Sequence, residues 1–166
     1  MKRIGQILLI AFSFALVLGC NRAPDKGAKD IVSKYKAVFS KPPEKIPSKS
    51  SVDAPMLGNG YTGIAISGKP EKQIYHIARN DFWRLKSSFR VSYPAVLGEL
   101  VIDIPDLEGS SYLIEQDFYS AKTFSFFEKE DMRVDFKSFI SATEDLLIIE
   151  LSLRGSSTNN RSNRYT

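Results

Sequence analysis

The sequence predicts a mostly β protein, an antiparallel β-sandwich carried behind an N-terminal signal peptide and a tether, and three observations predict it. Met132, Val134, Phe136, Ser138, Ile140 and Ala142 alternate with Arg133, Asp135, Lys137 and Phe139, the period of two that a half-buried strand requires. Short apolar runs recur from Tyr61 to Leu153 with turn residues between them and no helical pattern among them. Such spacing favours successive hairpins over a parallel α/β sheet. Eleven Phe, seven Tyr and one Trp suit a sheet core and are compatible with a sugar-contacting face.

The chain opens on a processing signal, residues 1–20. Lys2 and Arg3 form a positive n-region, Ile7 to Leu18 an apolar stretch broken by Ser13, and Val17-Leu18-Gly19-Cys20 a lipobox. The apolar run is too short to cross a hydrocarbon core of about 30 Å. The alternative is an ordinary secretory signal or short anchor that merely ends at Cys20. The lipidated reading is preferred because Cys20 is the only cysteine, and a lone thiol in an oxidising compartment forms no internal disulfide. The expected partner is therefore the membrane, through lipid on Cys20. Asn21, rather than Asp, follows the cysteine, which in Gram-negative sorting logic permits passage to the outer membrane.

Residues 21–50 read as a flexible tether rich in Lys, Ser and Pro, with Lys41-Pro42-Pro43 and Ile46-Pro47-Ser48 excluding regular helix there. Within it Ile31, Tyr35, Val38 and Phe39 stand at helical spacing, predicting a short helix over Ala28 to Phe39. The domain itself is placed at residues 51–153. Its strand candidates are Tyr61 to Ser67, Gln73 to Ala78, Leu97 to Ile104, Tyr112 to Phe118, Thr123 to Glu128, the Met132 run and Leu146 to Leu153. Gly68-Lys69-Pro70, Pro105 to Ser110, Lys129 to Asp131 and Thr143 to Asp145 are the turns. Leu146 to Ile149 is continuously apolar, which predicts a strand covered on both faces. Residues 154–166 read as a polar, disordered tail with nothing to pair with or cover that last strand.

The net charge of +4 falls once Lys2 and Arg3 leave with the signal, and the remaining cations are interleaved with Asp and Glu. No basic stripe exists, so nucleic acid is not an expected partner. The single His76 has neither a second His nor a nearby Cys, so no metal, no cofactor and no nucleophile dyad is expected from it. Glu115 with Asp117, and Glu128 with Glu130, read as solvated carboxylates rather than an acid pair facing a glycosidic bond. No catalytic residue is nominated.

Two local motifs remain. Pro55-Met56-Leu57-Gly58-Asn59-Gly60-Tyr61-Thr62-Gly63 enters a strand through glycines that permit positive φ or close approach. Arg79-Asn80-Asp81-Phe82-Trp83-Arg84 puts an amide, an acid and the only Trp at a strand end. Asn59, Asn80, Asp81 and Trp83 are accordingly the candidate rim residues, facing a neighbouring domain or a sugar ring. The competing reading makes Trp83 a core plug and leaves Asn80 and Asp81 to close a turn.

With Asp53-Ala54-Pro55-Met56-Leu57-Gly58-Asn59-Gly60, Gly63, Gly68, Pro70-Glu71-Lys72 and Asn80-Asp81-Phe82-Trp83, the chain resembles the N-terminal β-sandwich of family 95 glycoside hydrolases and their relatives. The similarity runs from about Ser51 to Leu153, and Asp81-Phe82-Trp83 is one residue tighter than the fucosidase spacing. The resemblance implies part of a galactose-mutarotase-like supersandwich. In that family the catalytic carboxylates lie in an (α/α)6 barrel after the sandwich, to which no residue here corresponds. The expectation is thus a non-catalytic sandwich from a truncated or split gene, inactive alone, whose partner is a separately encoded catalytic barrel. The alternative is a free-standing envelope lipoprotein that binds carbohydrate or a protein. A complete small enzyme ranks last, because neither a clustered acid pair nor a nucleophile with its base is visible.

Overall fold

The computed structural model describes residues 26–46, 52–84 and 93–155. Two compact units result, Met1–Lys34 and Tyr35–Thr166. In the first, helix α1 spans Lys26–Val32 and keeps Ile31 and Val32 in solvent. The signal peptide with Cys20, and the tail from residue 156, lie outside the described residues. Among the described residues no helix is long and apolar enough to cross a membrane.

The second unit is mostly β, built as two antiparallel sheets as the alternation requires. Its strands are β1 Lys36–Phe39, β2 Met56–Gly58, β3 Thr62–Lys69, β4 Lys72–Arg84, β5 Tyr93–Asp103, β6 Leu113–Asp117, β7 Lys122–Lys129, β8 Met132–Ile140 and β9 Leu147–Arg154. One sheet has the order β1-β6-β7-β8-β9 and the other β2-β3-β4-β5. A 3-10 turn, Pro105–Leu107, crosses from β5 towards β6 and drops Leu107 into the core.

The inner faces supply that core. Ile64 and Ile66 of β3, Tyr75 of β4, Ile114 of β6, Phe127 of β7, and Val134 with Phe136 of β8 form one buried cluster with Leu57 and Leu107. Phe127 meets Tyr112 at 5.6 Å and Phe136 edge-on at 5.8 Å between ring centroids. The two sheets are also joined by a polar contact inside this core, Tyr75 Oη to Ser138 Oγ at 2.9 Å. Burial raises the Tyr75 phenol pKa, partly offset by the Ser138 hydroxyl.

Three sequence expectations are corrected here. The helix ends at Val32, and Lys36–Phe39 is a strand paired with β6, Val38 opposite Glu115 and Phe39 opposite Ile114. Partly buried Phe39 packs on the core, so cross-strand burial overrides a helical spacing that only a marginally short helix would have used. The sandwich thereby takes in a strand from the segment assigned to the tether. The Arg79–Arg84 motif does not end β4 but continues it to Arg84. Finally, β9 is an edge strand: Leu147 and Ile149 pack against the core, while Leu151 and Leu153 are 48% and 66% exposed.

Candidate functional site

At one end of the sandwich, Asn59 follows β2 and folds back on the strand it introduces. Its Oδ1 accepts from the backbone N–H of Tyr61 at 3.0 Å and of Thr62 at 2.9 Å, an Asx-type turn. Gly60 in that turn has φ +94°, which a side chain would disfavour. The Nδ2 of Asn59 reaches the other sheet, donating to the Ser141 carbonyl at 3.1 Å and the Glu144 carbonyl at 3.3 Å in the β8–β9 loop. Asp145 of that loop is the second connection. Its Oδ1 accepts from Thr62 Oγ1 at 3.0 Å and its Oδ2 from Arg79 Nη1 at 2.5 Å.

Arg79 is the hub because Thr62 and Arg79 are register partners on β3 and β4, which puts both side chains on the same face. The rest of its guanidinium grips Asp81 through Nε at 3.0 Å and Nη2 at 3.2 Å. Asn80 points the other way and donates from Nδ2 to the Gly60 carbonyl at 2.8 Å. Trp83 donates from Nε1 to the Asn80 carbonyl at 2.8 Å yet keeps half its surface in solvent. Tyr61 and Phe82 are also exposed. Beside Tyr61 opens a shallow pocket of about 350 Å³, whose lining includes Gly58, Gly60, Gly63, Ala78, Arg79 and Asn80.

The four rim residues anticipated from sequence therefore belong to one connected group, Trp83 through the Asn80 backbone. Sequence reasoning missed Thr62, Arg79 and Asp145. Arg79 was in view as the first residue of its motif and Asp145 as the end of a turn, but their pairing depends on how the two sheets face one another.

Electrostatics decides what this group can do. Arg79 foremost, then Thr62 and Asn59, hold the Asp145 carboxyl below the usual 3.8, and Arg79 does the same for Asp81. The two carboxylates raise the guanidinium in return, the hydrogen bonding to Asp81 foremost. Both acids are ionised near neutrality, the wrong state for a general acid. A carboxyl lowered by folding contributes stability above its unfolded pKa and loses that contribution as pH falls through its folded value. Asp145→Asn is accordingly expected to reduce stability near pH 7 and to lose that effect below about pH 4, read from urea midpoints at several pH values. The pair is exposed, so the effect is expected to be modest.

A second constellation lies on the outer face of β3, β4 and β5. Ser67 Oγ is 2.7 Å from His76 Nε2, and His76 Nδ1 is 2.9 Å from Glu99 Oε1. The sequence offers neither a Cys nor a second His as a partner for His76, and the neighbour the fold supplies is Ser67. The Nδ1–Glu99 approach is close but lacks hydrogen-bond geometry, and which partner donates between Ser67 Oγ and Nε2 follows the imidazole tautomer. The row has triad-like distances but lacks the rest of an acyl-transfer site. Ser67 is buried in mid-strand opposite Ile74, and the adjacent Ile66 N–H is bonded to the Pro55 carbonyl. The backbone beside the hydroxyl is taken up by the sheet, leaving no pair of amides for an oxyanion. We read the row as a polar cross-strand link.

Among the described residues no group of three or more His, Cys, Asp and Glu is placed to hold a metal ion. The fold and site together define an antiparallel β-sandwich closed at one end by a polar clasp with an aromatic border. No protein-family model matches the chain, and no curated protein matches it.

Proposed function

We propose that this chain is the non-catalytic N-terminal sandwich of an exported, lipid-anchored, glycoside-hydrolase-like protein, with its aromatic rim serving as the contact face for a catalytic barrel. One observation carries the reading: the charged groups of the rim are spent on one another, while Tyr61, Phe82 and Trp83 beside them face solvent. A hydrolytic centre needs an acid that keeps its proton, and a contact face needs exposed aromatics on a rigid support. The motifs around Asn59 and Asn80 support the lineage, and Val17 to Cys20 supports the anchor.

The anchor has a direct test. Each buried methylene of an acyl chain adds about 0.8 kcal/mol of membrane affinity, so two or three chains hold a protein durably. Cys20→Ser is expected to move the protein from the membrane fraction to the soluble one. Unchanged partitioning into detergent would count against lipidation, and density separation of the envelope tests the outer-membrane assignment.

A second reading, a free-standing envelope lipoprotein that binds carbohydrate, is favoured by the pocket itself. Its lining combines Gly58, Gly60 and Gly63, which have no side chains, with Tyr61, an arrangement that admits a flat sugar face. Titration with neutral oligosaccharides while following Trp83 emission separates the two: a saturable change selects this reading, and no response selects the first.

A further inference from the structure

We propose that the outer edge of β9 is an interface with a second copy of this chain, formed by antiparallel two-fold pairing centred on Ser152. The inference stands apart from the reading of the rim. β9 ends its sheet, and among the described residues no strand lies beyond it. Among the described residues the N–H and C=O groups on that side are paired by no ladder, and the group that fits a row of such donors and acceptors is another extended chain. Residues 150–154 are all exposed, Leu151 and Leu153 among them. Both leucines sit on the core-facing side, opposite buried Phe136 and Val134, so they extend the apolar inner face past the point where the other sheet covers it.

Natural edges are usually blunted by proline, by a bulge or by lysine. β9 has none of these and stays in regular register with β8 from Leu147 to Arg154. The other long edge, β5, carries Pro94 and a register shift around Leu97. β9 is thus the less protected of the two.

Symmetry and charge select the occupant. In a two-fold antiparallel pair, residues that face each other must be of the same parity, because outward-pointing backbone groups have to meet outward-pointing groups. A centre at Glu150 sets two carboxylates opposite each other. A centre at Leu151 leaves Glu150 opposite serine. A centre at Ser152 places Glu150 opposite Arg154 of the second copy, and Leu151 opposite Leu153, each twice. Every charge then meets its opposite and every leucine a leucine. Glu150 is already held in place by Lys137 at 2.9 and 3.0 Å, whereas Arg154 is only loosely placed, 4.0 Å from Asp135. The result is one sheet continuous through both copies.

The test uses the full chain carrying Cys20→Ser, so that an introduced thiol is the only one. Sedimentation velocity is expected to show a dimer, and Arg154→Glu, which sets like charges opposite each other twice, is expected to weaken it about tenfold. Directly opposed residues have Cα atoms about 4.5–5.5 Å apart, within the span of a disulfide. Ser152→Cys should therefore cross-link on mild oxidation. Leu151→Cys would face Leu153, with its own counterpart two residues along and beyond the ~7 Å limit, so linking should be at least about tenfold less. A chain that sediments as a monomer, equal cross-linking at the two positions, or a dimer indifferent to Arg154→Glu would each overturn the proposal.

Discussion

Phe127→Ala is expected to cost about 3–5 kcal/mol, enough to unfold much of the population of a domain whose whole stability is on the order of 5–15 kcal/mol. Phe127 has no solvent exposure and touches both Tyr112 and Phe136. Its removal loses the transfer energy of a large ring, two aromatic contacts and the packing around the cavity. The strands on either side are fixed by ladders, β7 to β6 and β7 to β8, so the site has little freedom to collapse. Urea denaturation reads the loss as a lower midpoint at unchanged slope. Phe118, half exposed just after β6, is the control: its alanine variant is expected to stay within about 0.5 kcal/mol of the parent.

Gly68→Ala is expected to be the most damaging of the glycine substitutions, for a backbone reason. Gly68 has φ +95°, and a Cβ built there would lie 1.9 Å from the Lys72 carbonyl oxygen and 3.1 Å from its carbon. Unfavourable φ alone costs about 1–3 kcal/mol, and the clash with backbone adds to it because no flexible side chain can move aside. The damage spreads, since the hairpin is fixed at Lys69 opposite Lys72, by Gln73 Nε2 donating to the Lys69 carbonyl at 2.6 Å, and by Ile104 N–H donating to the Glu71 carbonyl at 2.8 Å. Gly63→Ala is the contrast: nothing lies within 4 Å of its Cβ position. Thermal denaturation of the two variants side by side should show a large fall for Gly68→Ala and little change for Gly63→Ala.

The strands were most legible where apolar and polar residues alternate, as in β8, whose Val134, Phe136 and Ser138 do face inward. What alternation does not carry is which strands meet at long range. β1 has four residues and a partner far along the chain, so its local helical spacing was the stronger signal. The apolar run at Leu146 suggested cover on both faces, and an edge strand beside a buried one has the same composition. The rim was half legible. Asn59, Asn80 and Asp81 announced themselves as turn-forming or polar residues beside glycine and tryptophan. Asp145 joins them only because the β8–β9 loop of one sheet is brought to Arg79 and Thr62 of the other. The Ser67–His76–Glu99 row was hidden for a related reason: its members are neighbours through the registers of β3, β4 and β5, not through spacing along the chain.

The rim as a contact face, rather than as core or catalytic machinery, depends most on Trp83, the only tryptophan and hence an unambiguous reporter. The measurement is acrylamide and iodide quenching of its fluorescence in the folded chain. With half its surface in solvent and its indole N–H bonded to the Asn80 carbonyl, Trp83 is expected to emit at intermediate to long wavelength and to be quenched by both agents. A blue-shifted emission that neither agent quenches would make Trp83 a core residue and contradict the account.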